Sequence, residues 1–217
     1  MTRNLRRSLT VFEVGFLVES LSGFVALAGA TTGLPFHGWL VVASPAFSLV
    51  GISFLWVGRH EWNGLHRTRV GHAAIAFGLS ILAVALAAVP VAYLALSGDR
   101  TPPDWLSIEF GAAIAAVFAG TFVTYALVAS HLVGRTGRVA LVLGLGWSVA
   151  ISAAIGVALA PQLRPLTHSV LARSVAVAQT LQPITLLDAL LAFGYLAFFV
   201  AFADAHWRVA RGLDPSA

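Results

Sequence analysis

Six long apolar stretches limit this chain to one class of fold. They cover residues 10–31, 38–57, 70–97, 106–133, 139–160 and 184–205. A membrane-spanning helix needs about 20 mainly apolar residues, and each stretch meets that length. The composition agrees, because 59% of the residues are hydrophobic, only 10% are charged and the mean hydropathy is +0.88. The sequence therefore predicts an all-α polytopic membrane protein, a single domain (1–217) built as a bundle of six transmembrane helices.

The distribution of arginine predicts the orientation of this bundle. Short polar loops separate the apolar stretches, and the densest of them covers residues 58–72. Positive charge in short loops marks the cytoplasmic side of a membrane protein. One side of the predicted bundle carries Arg3, Arg6, Arg7, Arg59, Arg67, Arg69, Arg135, Arg138, Arg208 and Arg211, whereas the other carries Arg100, Arg164 and Arg173. We therefore expect a multi-pass protein of the cell membrane with both termini in the cytoplasm.

The connection between the fifth and sixth spans is longer than the others. Its segment 169–181 mixes leucine, valine and alanine with Arg173 and Gln179. A short helix of mixed polarity is typical of a segment that lies at the membrane interface. The sequence thus predicts a short external amphipathic helix between helices 5 and 6.

The beginnings of spans one and four resemble each other. Phe12-Glu13-Val14-Gly15 in the first is matched by Ile108-Glu109-Phe110-Gly111 in the fourth. Six spans can consist of two halves of three helices in opposite orientation, as in many transporters. Four matching positions also arise by chance in apolar sequences, so both interpretations stay open.

Small residues at every fourth position mark the faces on which helices in lipid approach closely. Span five carries such a stripe, and span one repeats the spacing around an acidic residue. The predicted packing positions are Gly15 and Gly23 in span one and Gly144, Ser148, Ser152 and Gly156 in span five. We expect Leu141 on the lipid side of span five. Packing within one chain is the first interpretation, and the seam of a homo-oligomer is the alternative.

Glu19 is the main candidate for a functional residue, because it stands in the middle of span one, between Gly15 and Gly23. A charged side chain at the centre of a bilayer costs about 2.5 to 3.5 kcal/mol on insertion scales. Glu19 therefore faces protein, either as a hydrogen-bonded structural acid or as part of a proton or ion pathway. Glu109 and Asp188, one turn inside the outer face, are weaker candidates for such a pathway.

Histidines on the predicted cytoplasmic side suggest a third kind of site. His72, His131, Asp204 and His206 end or begin three different spans and are weak candidates for ligands of a metal ion or a haem. Their spacing matches no metal-binding motif. The chain has no cysteine, which excludes thiolate sites, and no lysine, which excludes a retinal Schiff base. We expect no cofactor.

Three functions remain open. The first is a transporter or channel-like protein for a proton, an ion or a small solute, with Glu19 in the pathway. The second is a non-catalytic membrane subunit or scaffold, and the third is a membrane-embedded metal or haem protein. The sequence contains no catalytic motif, so we do not expect an enzyme. Its expected partners are the lipid bilayer, a further copy of itself or other membrane subunits, and no nucleic acid, because the arginines lie in short loops.

Overall fold

The computed structural model describes residues 3–32, 39–62, 64–97, 103–163 and 182–212. Side chains are described throughout these ranges except at 26–46, 61, 182–185 and 188. The long helices are α1 (Arg3–Thr32), α2 (Trp39–Gly58), α3 (Gly64–Ser97), α4 (Asp104–Ala129), α5 (Arg135–Leu159) and α6 (Gln182–Ala210). Short 3-10 turns, Arg59–Glu61 and Ala160–Gln162, follow α2 and α5. The predicted external helix at 169–181 lies outside the described residues.

The helices have the length and polarity of membrane spans. Five of them contain a stretch long and apolar enough to cross a bilayer, and Phe47–Gly58 of α2 forms a shorter apolar helix. The predicted class, a helical membrane bundle, is confirmed. The helices run past the apolar stretches at one end, where α1 begins at Arg3 and α3 at Gly64. We call this end, which carries the first turns of α1, α3 and α5 and the last turns of α2, α4 and α6, the arginine end.

The helices pack in a ring that follows the order of the chain, and α6 returns beside α1. α1 packs against α2 and α6, α6 against α5, α5 against α4, and α4 against α3. Between α2 and α3, which would close the ring, the described residues make only a small contact. The neighbours of α1 and α4 correspond, since each packs on the helix that follows it and on one helix of the other half. This arrangement agrees with the suggested repeat, except at the pair α2/α3.

Aromatic side chains fill the centre of the bundle. The aromatic cluster consists of Phe12 and Phe16 from α1, Phe122 and Tyr125 from α4, and Tyr195, Phe198 and Phe202 from α6. All seven rings are buried, and Phe16 lies 4.8 Å from Tyr125 and 6.3 Å from Tyr195, measured between ring centroids. The hydroxyl of Tyr125 also shares a 2.5 Å hydrogen bond with Ser48 of α2. The cluster thereby joins helices that are not neighbours in sequence.

The stripe of small residues in span five is buried along its whole length. A Cβ atom at Gly144 would lie 2.8 Å from Ala197 of α6, whereas a Cβ at Gly156 would meet the backbone of Gly111 in α4. Ser148 and Ser152 between them are fully buried. The stripe therefore packs against α6 near Gly144 and against α4 near Gly156, and both contacts lie within the chain.

Leu141 does not face lipid, and the expectation that it would was wrong. Its side chain is 5% exposed, compared with 66% for Leu143. Leu141 precedes Gly144 by three residues, and side chains three or four residues apart share one face of a helix. The position of the stripe therefore already placed Leu141 inside the bundle.

Candidate functional site

Glu19 lies on the face of α1 that packs against α2. The glycine one turn before it, Gly15, lies so close to Phe47 of α2 that a Cβ atom there would be 2.9 Å from the Phe47 Cβ. Residues four apart on a helix occupy the same face, so Glu19 continues this surface towards the end opposite the arginines. Its Oε1 atom is buried. The structure thus buries Oε1 of this partly exposed side chain inside the bundle, on the side that the spacing of the small residues predicts.

A second acid on α1 pairs with a histidine of α6. Glu13 Oε1 lies 2.8 Å from His206 Nδ1, and both side chains are partly buried. Glu13 and Glu19 are separated by about 9 Å along the helix axis, because each residue adds about 1.5 Å. Phe16 of the aromatic cluster lies between them on α1. The two acids therefore stand on opposite sides of this ring.

Asp204 binds the first turn of α5. Its Oδ2 atom accepts a 2.6 Å hydrogen bond from the backbone N–H of Gly134, the residue before α5. A carboxylate is favourable at the start of a helix, where unpaired N–H groups and the positive end of the helix dipole lie together. The missing side chain of Gly137 allows this approach, since a Cβ there would crowd Oδ2, whereas a Cβ at Gly134 would crowd the guanidinium of Arg208. Asp204 is thus a structural cap that fastens α5 to α6.

Two other histidines form a pair beside the arginine end. His131, in the turn between α4 and α5, lies with its Nε2 atom 2.6 Å from Nδ1 of His66 in α3. The pKa of His131 is lowered to about 4, first because burial disfavours the charged ring and then because His66 and Arg69 are close. His131 Nδ1 is buried without a hydrogen-bond partner among the described atoms. The neutral ring therefore keeps its proton on Nε2 and donates it to His66, a tautomer that leaves no buried N–H unpaired.

The structure does not bring the four candidate metal ligands together. His131 contacts His66, His206 contacts Glu13, Asp204 contacts Gly134, and His72 is exposed on α3. Within the described ranges, no group of three or more His, Asp or Glu side chains could hold a metal ion. Histidine and acid positions in the sequence suggested one cluster, whereas the fold gives His131, His206 and Asp204 a separate partner each and leaves His72 exposed.

The remaining candidates for a pathway lie away from Glu19. Glu109 is partly buried near the end of the bundle opposite the arginines, on α4. Asp188 belongs to α6, but its side chain is not among those described. Sequence reasoning did not identify the aromatic cluster or the roles of Glu13 and His66. The recurrence of Phe at positions 12 and 16 was a possible signal for the cluster, because residues four apart share a face.

Two basic grooves open at the arginine end. One groove of about 710 Å³ lies along the start of α5 and is lined by Arg135, Arg138 and Arg208 together with apolar side chains. The other, of about 710 Å³, is lined by Arg3, Arg6 and Arg7 with Thr10, Val11 and Phe54. In the second groove, Arg7 lies over the ring of Phe54 and Arg6 donates a hydrogen bond to the carbonyl of Ala210.

The fold and these buried polar contacts define a polytopic helical membrane protein with a carboxylate in its interior. Comparison with protein-family models, with curated proteins and with solved structures finds no match to this chain. Its function must therefore be argued from its own residues.

Proposed function

We propose that this protein is a small transporter that moves a proton, alone or together with an ion or small solute, with Glu19 as the group that carries the proton. The observation that supports the proposal is the burial of Glu19 Oε1 on the α1/α2 face of the bundle. Ionisable residues inside a membrane are costly, and they commonly mark the path of an ion or proton.

The second acid of α1 provides a partner for this step. Glu13, with His206, stands on the arginine-end side of Phe16, while Glu19 stands on the other side. A carboxylate and an imidazole in contact can exchange a proton between them. Glu19 would exchange protons with one side of the membrane and the Glu13–His206 pair with the other. The ring cluster between them would prevent a continuous path.

The test is proton flux into liposomes that contain the purified protein and an enclosed pH-sensitive dye. Glu19→Gln should reduce the flux at least tenfold while leaving yield and thermal stability nearly unchanged. The amide keeps the shape of a protonated acid and its hydrogen-bonding capacity, but it cannot release a proton. Asp104→Asn is the matched control, because Asp104 is an exposed acid at the start of α4.

Three results would contradict the proposal. The first is equal flux through the wild-type protein and Glu19→Gln. The second is a flux through the wild-type protein no greater than that of protein-free liposomes. The third is an equal loss of flux in Asp104→Asn, which would trace the effect to surface charge. Glu109→Gln, measured alongside, shows whether the acid on α4 belongs to the same path.

A membrane subunit or scaffold is the second candidate, and one observation favours it. Gly64, Gly71 and Gly78 recur every seven residues on α3, and none has a described neighbour within 4 Å of a Cβ built there. Glycines on one helix face permit close approach of another helix. An open glycine face fits a partner helix from another subunit or from a second copy of the chain.

A further inference from the structure

We propose that the groove at the start of α5 binds the phosphate headgroup of an anionic phospholipid. Three arginine side chains, Arg135, Arg138 and Arg208, reach this groove, which has a volume of about 710 Å³. Basic pockets between transmembrane helices are the usual binding sites of anionic headgroups, because guanidinium groups match phosphate in charge and geometry.

The charged groups around this groove favour the binding of an anion. Arg135 and Arg138 lie in the first turn of α5, which contains no acidic residue. Cations are unfavourable there, because the start of a helix carries the positive end of its dipole. Arg208 adds a third positive charge beside Gly134, and Asp204 supplies one carboxylate. Three arginines against one carboxylate favour a bound phosphate.

The apolar wall of the groove indicates a lipid as the source of that phosphate. Val139, Val142 and Leu143 line the groove, and all three are more than half exposed. They follow Arg135 and Arg138 along α5 and occupy one side of the helix over about one turn. An acyl chain can lie on them while the headgroup contacts the arginines. Free inorganic phosphate would use only the basic part of the groove.

The second basic groove, at the start of α1, is less suited to bind a phospholipid. Its arginines lie close to other groups, with Arg7 over the ring of Phe54 and Arg6 near the carbonyl of Ala210. Its apolar lining is limited to Val11 and Phe54. It therefore provides a comparison with the same number of arginines but less room for an acyl chain.

The test titrates phosphatidylglycerol into the detergent-solubilised full chain and measures bound lipid by native mass spectrometry. Arg135→Gln/Arg138→Gln should bind it about thirtyfold more weakly, since each arginine near a membrane surface contributes a factor of about five to anionic lipid binding. Arg135→Lys/Arg138→Lys should retain most of the affinity, because the charge remains. Phosphatidylcholine with the same acyl chains should bind weakly to every variant.

The control is Arg3→Gln/Arg7→Gln, which removes the same charge from the other groove and should leave binding within about twofold of wild type. Equal binding by the wild-type protein and Arg135→Gln/Arg138→Gln would overturn the proposal. An equal loss in the control variant would also overturn it, because the effect would then be one of total charge. Displacement of the lipid by millimolar inorganic phosphate would assign the groove to a free anion. Arg138→Gln alone repeats the test with a smaller change if the double variant unfolds.

Discussion

If the chain consists of two repeated units of three helices, the pair α2/α3 in the first unit corresponds to the pair α5/α6 in the second. The two pairs nevertheless pack very differently. Along α5/α6 the backbones are close, because Gly144 faces Ala197 and Ser148 faces Gly194. The indole of Trp147 adds a 2.7 Å hydrogen bond to the carbonyl of Leu190. Along α2/α3 the described residues make little contact, and no described atom lies within 4 Å of a Cβ built at Gly71 or Gly78.

This difference indicates which part of the bundle can move. Close packing of small residues holds helices together in lipid, where no hydrophobic force drives them to associate. α5 and α6 therefore form a firm unit, which the Asp204 cap fastens at the arginine end. α2 depends on α1 and on the hydroxyl contact between Ser48 and Tyr125. We expect opening motions to separate α2 from α3 before they disturb α5 and α6.

The largest effect should come from Gly144→Leu. A leucine there must displace Ala197 and Phe198, and such overpacking should cost about 3 kcal/mol of stability. Gly146→Leu, two residues away on the same helix, should change the free energy of unfolding by less than about 0.5 kcal/mol because its Cβ meets nothing within 4 Å. Thermal unfolding in detergent measures both. Equal losses would show that the α5/α6 contact is not specific.

Acidic pH should have a smaller effect, through the His66–His131 pair that joins α3 to the end of α4. In the unfolded chain His131 takes up a proton as the pH falls through about 6.5, whereas in the folded protein it does so only near its lowered pKa of about 4. The stability contributed by neutral His131 is therefore complete above pH 6.5 and lost as the pH falls towards 4. Because the ring is only partly buried, we expect a loss of about 1 kcal/mol.

Thermal unfolding of the wild-type protein and His131→Gln at pH 7.5 and pH 5 tests this effect. The amide can donate to His66 in place of Nε2 but does not titrate, so the variant should lose less stability at pH 5. Identical pH dependence in the two proteins would contradict the assignment. Protection of the amides in the turn after α4, measured as hydrogen exchange relative to the intrinsic rate at each pH, should fall at pH 5 in the wild-type protein alone.

The smallest effect should follow Gly78→Leu on the open face of α3. No described atom lies within 4 Å of a Cβ at Gly78, so the free energy of unfolding of the monomer should change by less than about 0.5 kcal/mol. If a second copy or another subunit docks on this face, the same substitution should abolish the complex in size-exclusion chromatography with light scattering. A large loss of monomer stability would show instead that α2 covers the glycines.

The sequence predicted the helical class and the six long helices of the described ranges because both depend on local properties. An apolar stretch of about 20 residues forms a helix in lipid wherever it lies in the bundle. The burial of Ser148 and Ser152 also followed from spacing alone. Leu141 was misassigned because lipid and protein interior are equally apolar, so the hydrophobic character of leucine does not distinguish the two faces.

The pairs that make up the candidate site depend on the order and rotation of the helices around the ring. His206 contacts Glu13 because α6 returns beside α1, and His131 contacts His66 because α3 lies beside α4. Neither the return of α6 to α1 nor the rotation that turns His66 towards His131 has a local signal in the sequence. Residue type therefore identified the acids and histidines as candidates, but it did not predict which of them contact each other. The position of Glu19 could be predicted from the sequence, because the glycines one turn before and after it indicate that this face of α1 packs against another helix.

The aromatic cluster has a consequence for the speed of any transport through this bundle. Its rings are buried and pack against one another across α1, α4 and α6, so they fill the space around Phe16 between the described parts of these helices. Under the proposed function, a proton or solute that reaches Glu19 waits until the rings and their helices shift, and collective motions of this kind take microseconds to milliseconds. We therefore expect the slow, saturable turnover of a carrier, in place of the steady current of an open pore.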